Sequence, residues 1–190
     1  MRERGAERVS GDGLRGRLLP GESVIWSGRP GQGVLFTARD ALLIPFSLMW
    51  GGFALFWEGL VIERGAPLLF RLWGVPFVLV GLYLTIGRFA VDAWLRGKTH
   101  YAVTNQRILI ERSGAFGRFT AIGLDRLPDA QLTERANGRG TIRFGPTAPF
   151  WGRGGFAGWT PALDPAPQFL AIVDARRVFD QIQYAVRQRN

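Results

Sequence analysis

The chain has 190 residues, a formal net charge of +9, a mean hydropathy of +0.05 and no cysteine. The lack of cysteine excludes disulfide bonds, thiolate nucleophiles and metal sites with cysteine ligands. The positive charge indicates an acidic partner. Because the arginines are spread along the chain and no recognition-helix pair or zinc finger is visible, we expect an anionic membrane surface and no nucleic acid.

The first predicted region is a basic amino-terminal segment, residues 1–40. Its first part, 1–17, is rich in glycine and almost free of large apolar side chains, which is typical of a tail drawn to anionic headgroups. Residues 18–30 differ, because Val24, Ile25 and Trp26 stand together between glycines. We predict that they form a short strand or an interfacial wedge that packs on the later domain.

Two long apolar stretches follow, 41–62 and 68–95, and a short polar turn at 63–67 separates them. A helix of about 20 residues, at ~1.5 Å per residue, crosses the ~30 Å hydrocarbon core of a bilayer. The pattern therefore predicts a two-helix transmembrane hairpin over residues 41–95. Two buried helices of a soluble bundle are the alternative, but the interior Gly and Pro residues and the flanking Trp residues favour the membrane.

The basic residues around these segments predict the orientation. Four precede the first segment, three follow the second and two lie in or near the turn: Arg15, Arg17, Arg29 and Arg39; Arg96, Lys98 and Arg107; Arg64 and Arg71. Both termini are therefore expected to be cytoplasmic. Glu58, Arg88 and Asp92 are interpreted as interfacial residues, since two helices are too few to enclose an ion path without oligomerising, and Arg88 is spaced to pair with Asp92 along one helix face.

Residues 96–190 show the pattern of a separate domain. Short β-branched or aromatic runs predict antiparallel strands at 99–104, 107–111, 119–124, 131–135 and 141–144. From Asp174, a candidate N-cap, apolar residues recur every three or four positions and predict an amphipathic helix. We expect a curled sheet or barrel that this helix caps, although a helix lying on the membrane surface is the other interpretation.

Three motifs carry a resemblance to a known family. Leu-Pro-Gly-Glu at 19–22 and Trp-Ser-Gly-Arg-Pro at 26–30 precede the hairpin, and Tyr-x-x-Thr-Asn-x-Arg at 101–107 follows it. The chain thus resembles the bacterial PH-domain membrane proteins, from residue 18 onward. The resemblance implies a PH-like domain with an α+β fold, anchored at the cytoplasmic face of the bacterial inner membrane.

The arginines of the predicted strands have two interpretations. Arg107, Arg112 and Arg118 lie on neighbouring strands, where they are candidate contacts for a lipid headgroup. That role would resemble the way eukaryotic PH domains hold phosphoinositides. The alternative for Arg107 is an ion pair with a carboxylate at the rim of the barrel.

The segment 146–167 is longer than most loops of compact domains and is rich in Gly and Pro. Its aromatic and basic residues are candidate contacts with a protein partner or the membrane interface: Phe150, Trp151, Arg153, Phe156 and Trp159. Packing of the same aromatic residues into the domain core is the alternative interpretation.

No enzyme constellation is visible in the sequence. His100 is the one histidine, at the entry to the first strand of the second half, where a hydrogen-bonded or interfacial imidazole is expected. The Gly-rich run 151–155 lacks the strand, helix and lysine of a phosphate-binding loop. We therefore expect a non-enzymatic module without cofactor or metal that docks a protein partner, self-associates or serves as an accessory subunit of a membrane complex. An anionic-lipid sensor is the alternative.

Overall fold

The structure is a computed structural model that describes residue 14 and the ranges 16–135, 138–146 and 160–188. Its contacts divide the chain into two compact units. Gly33–Ala93 forms a helical unit, and the residues up to Gln32 combine with those from Trp94 onward to form a sheet unit. The helical unit is therefore an insertion within the sequence of the sheet unit.

Two long helices make up the hairpin, as predicted. Helix α1 spans Asp40–Glu63, and the second long helix, Leu68–Gly97, consists of α2, a π-helical turn and α3: Leu68–Leu82, Tyr83–Gly87 and Arg88–Gly97. Both are long and apolar enough to cross a membrane. Only 22% and 17% of their most apolar windows are buried, whereas a core helix of a soluble protein is mostly buried.

The two helices approach closely where glycines face each other. A Cβ built on Gly81 would lie 2.8 Å from the Cα of Gly51, whereas a Cβ on Gly52 would meet no atom within 4 Å. Small residues let helix backbones come together in this way, and the contact here is within one chain. Helices α1 and α2 therefore pack against each other at Gly51 and Gly81.

A buried polar cluster lies near the start of α1. Arg88 and Asp40 form an ion pair with side chains only 3% and 6% exposed, and Arg88 Nε also donates to the carbonyl of Leu84 at 2.8 Å. The second carboxylate oxygen of Asp40 accepts from the backbone and hydroxyl of Thr37 at 2.5 and 2.8 Å. Arg88 thus pairs with the facing helix, a partner that its sequence spacing does not predict.

The sheet unit has seven strands among the described residues. They are β1 to β7: Val24–Gly28, Thr99–Thr104, Arg107–Arg112, Arg118–Gly123, Ala130–Glu134, Arg139–Phe144 and Gln168–Val173. They form two antiparallel sheets with the orders β1-β2-β3-β4 and β5-β6-β7. The predicted antiparallel strands are confirmed, and β7 was not predicted.

The prediction of one curled sheet or barrel is corrected, because no strand pairing joins the two sheets within the described ranges. After β4 the chain makes a 3-10 turn, Leu124–Arg126, and then passes through Pro128, which has no N–H to donate to a ladder. The sheets are instead joined by one apolar core, to which both contribute. Its buried residues include Tyr101, Val103, Ile108, Leu124, Ile142, Phe144, Phe169 and Ile172.

The carboxy-terminal helix α4, Ala175–Arg187, is confirmed as the cap of this core. Val178, Ile182 and Ala185 are buried with the strands, so its apolar face covers the core and does not lie on a membrane. The predicted capping role of Asp174 is wrong. Asp174 occupies the N-cap position in a left-handed conformation, φ 51°, without a side-chain capping hydrogen bond.

The segment before the hairpin is part of the first sheet. Strand β1 pairs antiparallel with β2, which confirms the predicted short strand at 24–26. Leu14 and Leu18 cover the opposite face of the sheet, against Ala102 and Leu109. Residues on both sides of the helical insertion are therefore needed to complete the sheet unit.

Candidate functional site

The three arginines proposed as headgroup contacts do not lie together. Strand β3 begins with Arg107 and ends with Arg112, and its partner β4 begins with Arg118. Arg107 is opposite Gly123, whereas Arg112 is directly opposite Arg118. The fold therefore separates Arg107 from the other two by the length of a strand.

Arg107 forms an ion pair with Glu22. Its Nε and Nη2 donate to the two carboxylate oxygens at 2.9 Å each, and the side chain of Glu22 has no exposed surface. Burial alone would raise the pKa of Glu22, but hydrogen bonds, first among them that from Arg107, lower it from 4.5 to about 2. The same hydrogen bond raises the pKa of Arg107.

The remaining motif residues bind the same amino-terminal segment. Thr104 donates to Glu22 at 2.7 Å, and Asn105 Oδ1 accepts from the backbone N–H of Ser23 at 3.0 Å. The Thr104 hydroxyl also accepts from the backbone N–H of Arg107 and so closes the turn, as expected for this residue. The motif at 101–107 therefore attaches the Leu-Pro-Gly-Glu segment to the sheet, and its Arg107 has the predicted alternative role as an ion-pair partner.

Arg112 and Arg118 belong to one of two adjacent cross-strand rows on the same face of the first sheet. The first row, at the end of the sheet, is Thr99, Arg112 and Arg118, and the second is Tyr101, Ile110 and Thr120. This face is the one that enters the core, because Tyr101, Val103 and Ile108 on it belong to the apolar core shared by both sheets. The inward-facing positions therefore change from apolar to cationic toward this end of the sheet.

The two rows form the floor of an open cleft. The segment from Pro161 to Gln168 lies opposite them, and Arg96 and Leu170 complete the walls. The cavity volume of the cleft is about 50 Å³. This is far below the ~300–1,000 Å³ of sites for whole small molecules, so the cleft has room for one small group only.

Arg112 is held in place at the cleft. Its Nε donates to the carbonyl of Phe116 at 2.7 Å, and its Nη1 donates to the carbonyl of Ala162 at 2.6 Å. Burial and the neighbouring charge of Arg118 lower the pKa of Arg112. Two carbonyls thus orient this guanidinium, and within the described ranges its Nη2 donates to no other group.

The other charged groups of the cleft are engaged with the protein. Asp164 forms an ion pair with Arg143 at 3.2 Å, and the two side chains are 7% and 21% exposed. Arg96 is 1% exposed and donates to the carbonyl of Gly31. The carboxylate is therefore neutralised within the protein, while Arg118 is exposed.

Exposed aromatic and basic residues lie beside the β3–β4 turn, outside the lining of the cleft. Trp94 is 47% exposed, and Lys98 lies over its ring, 3.9 Å from the centroid. The backbone N–H of Ser113 donates to the carbonyl of Lys98 at 3.0 Å, which places the β3–β4 turn beside this lysine. Phe116 in that turn is 56% exposed.

The aromatic loop predicted as a partner contact is not described by the structure. Phe150, Trp151, Arg153, Phe156 and Trp159 all lie outside the described residues. Their contacts with a partner, the membrane or the core remain a prediction. The end of the same loop, from Pro161 onward, does line the cleft, which loop length alone did not indicate.

His100 lies on β2 opposite Glu111. Burial, followed by the charge of Arg29, lowers the pKa of His100. Its Nε2 is buried without a hydrogen-bond partner in the described part of the chain. Among the described residues, no group of three or more His, Cys, Asp or Glu side chains is arranged to hold a metal ion.

Comparison with known proteins gives one match. The family model described as the bacterial PH domain matches residues 44–186, about three quarters of the chain. No curated protein and no solved structure matches. The matched range contains β2 to β7 and all but the last residue of α4, and it excludes β1 and Glu22.

Proposed function

This chain belongs to the bacterial PH domain family, and from that membership we propose that it is a non-enzymatic binding module anchored in the bacterial inner membrane. In this proposal the helical unit spans the membrane as a hairpin, and the sheet unit docks a protein partner at the cytoplasmic face, as a scaffold or an accessory subunit. PH domains are typically binding modules without catalytic activity, which supports the non-enzymatic part.

The exposure of the helices is the observation that carries the membrane part of the proposal. Large apolar side chains cover both helices outside their mutual contact, among them Met49, Phe53, Phe56, Leu69, Trp73 and Leu79, each more than half exposed. Monomeric soluble proteins rarely expose so continuous an apolar surface. In a membrane, lipid chains would cover this apolar surface. A helix suits that environment, because its backbone hydrogen bonds are made within the segment.

The discontinuity of the sheet unit supports the orientation. Strand β1 ends at Gly28, before the hairpin, and β2 begins at Thr99, directly after it. Because both strands belong to one sheet, the two outer ends of the hairpin must lie on the same side of the membrane. The excess of basic residues at those ends favours the cytoplasmic side.

The cysteine-free sequence allows a direct test of this topology. We expect an Arg64→Cys protein, with the label site in the turn between the helices, to react with a membrane-impermeant maleimide in intact spheroplasts. Ala115→Cys, in the exposed β3–β4 turn, should react only after lysis. Labelling of Ala115→Cys in intact spheroplasts, or recovery of the protein in the soluble fraction, would contradict the proposal.

The docking part of the proposal is supported by the aromatic and Arg residues of the loop, which are typical of interface anchors. Its test is mass spectrometry of the complex extracted gently from its native membrane. A stoichiometric protein partner or homo-oligomer that is lost in Trp151→Ala/Trp159→Ala supports docking. Extraction of the wild type as a monomer carrying only lipid would contradict it and favour the lipid-sensor alternative.

A further inference from the structure

We propose that the cleft between the β3–β4 end of the first sheet and the segment from Pro161 to Gln168 binds a phosphate-bearing anion through Arg112 and Arg118. In the cell this anion is the headgroup of an acidic membrane lipid. The lipid source rests on the proposed membrane anchoring, whereas the anion site does not.

The position of the two arginines is the first argument. Arg112 and Arg118 are a directly opposed pair in an antiparallel ladder. Like charges at such positions destabilise a sheet, and these two also occupy the face that elsewhere enters the apolar core. The hydrogen bonds of Arg112 to two carbonyls account for arginine at that position, but no hydrogen bond or ion pair with a described residue accounts for Arg118. A bound anion between the two would offset their repulsion.

The donors available at the cleft suit a phosphate group. Two carbonyls orient Arg112, whose Nη2 donates to no other described group, and Arg118 makes no hydrogen bond or ion pair with another described residue. The Thr120 hydroxyl lies in the adjacent row of the same face. A planar guanidinium matches phosphate oxygens in bidentate geometry, and a hydroxyl adds one donor.

The charge balance of the cleft favours an anion over a cation. Three arginines and one aspartate line it, and the aspartate, Asp164, is already paired with Arg143. A cation would therefore meet positive charge on two sides without an available carboxylate. An anion would meet Arg112 and Arg118 at the open side and the buried Arg96 in the wall.

The surroundings of the cleft favour a lipid over a soluble phosphate. Arg96 lies in the last turn of the helix Leu68–Gly97, and if this helix spans the membrane, that turn lies at the surface of the bilayer. Exposed Trp94 and Phe116 and the nearby Lys98 are the residue types that populate the headgroup layer. A lipid headgroup is therefore the anion that the cleft would meet at the highest local concentration.

The test uses the full chain in neutral detergent micelles. Native mass spectrometry measures retention of phosphatidylglycerol against phosphatidylcholine, and calorimetry measures binding of inorganic phosphate and glycerol 1-phosphate. The variants are Arg118→Gln and Arg112→Gln/Arg118→Gln. The matched control, Arg126→Gln/Arg177→Gln, removes two charges from exposed arginines outside the cleft.

We expect Arg118→Gln to weaken retention of phosphatidylglycerol about tenfold and the double variant to weaken it further, since each charge-assisted contact contributes at about this level. The control should retain the lipid like the wild type. Arg118→Gln should not lower the unfolding midpoint and should raise it slightly, because Arg118 makes no hydrogen bond or ion pair with another described residue and its removal relieves the repulsion from Arg112.

The lipid and soluble-phosphate measurements distinguish a lipid headgroup from a free phosphate as the bound anion. Arginine-dependent binding of both soluble phosphates, without preference for phosphatidylglycerol, supports the anion site and overturns its assignment to a lipid. Equal binding of every ligand by the wild type and Arg118→Gln overturns the proposal, as does an equal loss in the control. Arginine-dependent retention of an acidic protein segment in place of lipid overturns the phosphate assignment.

Failure of the proposed function would look different. If the protein is recovered in the soluble fraction, the membrane anchoring fails. Calorimetry with inorganic phosphate and Arg118→Gln would still decide whether the anion site exists.

Discussion

The pairing of Glu22 with Arg107 shows how one residue can connect distant parts of the chain. The two residues are 85 positions apart, and a buried carboxylate meets a guanidinium through two hydrogen bonds of 2.9 Å. Breaking a buried pair by removing one partner leaves an uncompensated charge. Glu22 therefore attaches the segment before the hairpin to the sheet formed after it.

We expect Glu22→Gln to lower the free energy of unfolding of the sheet unit by roughly 2–3 kcal/mol, because Arg107 loses its charged partner. Denaturant unfolding in detergent, followed by far-UV circular dichroism, measures the change. Glu134→Gln is the matched control, since its pair with Arg176 is exposed and should contribute less than about 1 kcal/mol. Equal effects of the two substitutions would contradict the importance of the buried pair.

The depressed pKa of Glu22 predicts how stability depends on pH. Its pKa is about 2 in the folded chain and 4.5 in the absence of these contacts, as in the unfolded chain, so the folded state favours the ionised form. The stabilisation is therefore fully present above pH 4.5 and is lost as the pH falls from about 4.5 to about 2, by a total of about 3 kcal/mol. Unfolding curves between pH 2 and 6 should show this loss in the wild type. A curve for Glu22→Gln that keeps the wild-type slope would contradict it.

At the scale of elements, the local pattern of the sequence predicts most of the helices and strands. Hydrophobic periodicity identifies both long helices and α4, and β-branched runs identify β2 to β6 within one or two residues. Strand β7 is not identified in this way, because Phe169 to Val173 is a continuous apolar run without alternation. Such a run does not distinguish a buried strand from a helix.

The contact between the two long helices gives a prediction at this scale. Gly81→Val should weaken the hairpin by about 1–3 kcal/mol, because its side chain would enter the space of the Gly51 backbone. Gly52→Val is the matched control, since a Cβ there meets no atom within 4 Å. Near-UV circular dichroism during thermal unfolding in detergent reports the change, as Trp50 lies beside Gly81. A destabilisation of the same size in both variants would contradict the importance of the Gly51–Gly81 contact.

At the scale of the whole molecule, the helical unit is an insertion in the sheet unit. Gln32 and Trp94 are the residues at which the chain leaves and re-enters the sheet unit. The chain returns close to its point of departure, because Gln32 Oε1 would lie 3.5 Å from a Cβ placed on Gly97, one helical turn after Trp94. Close ends are typical of sites where one domain accommodates another as an insertion.

We therefore expect a protein in which a short Gly-Ser linker joins Gln32 directly to Trp94 to fold without the helical unit. A fragment that begins at Trp94 should be much less stable, because it lacks β1. It also lacks the ring contact of Trp26 with Phe169, whose centroids are 5.5 Å apart. Amide hydrogen exchange and denaturant unfolding compare the two. Equal protection in both proteins would show that β1 is dispensable.

The sequence by itself determined the features that depend on neighbouring residues. These are the two apolar segments with their lengths, the amphipathic helix α4 and most of the strands, because hydrophobic periodicity is a local property. Only the tertiary structure decided that Arg107 pairs with Glu22 while Arg112 lies opposite Arg118, and that two separate sheets share one core. Those outcomes depend on which residues far apart in sequence meet in space, and the spacing of side chains along a chain does not contain that information.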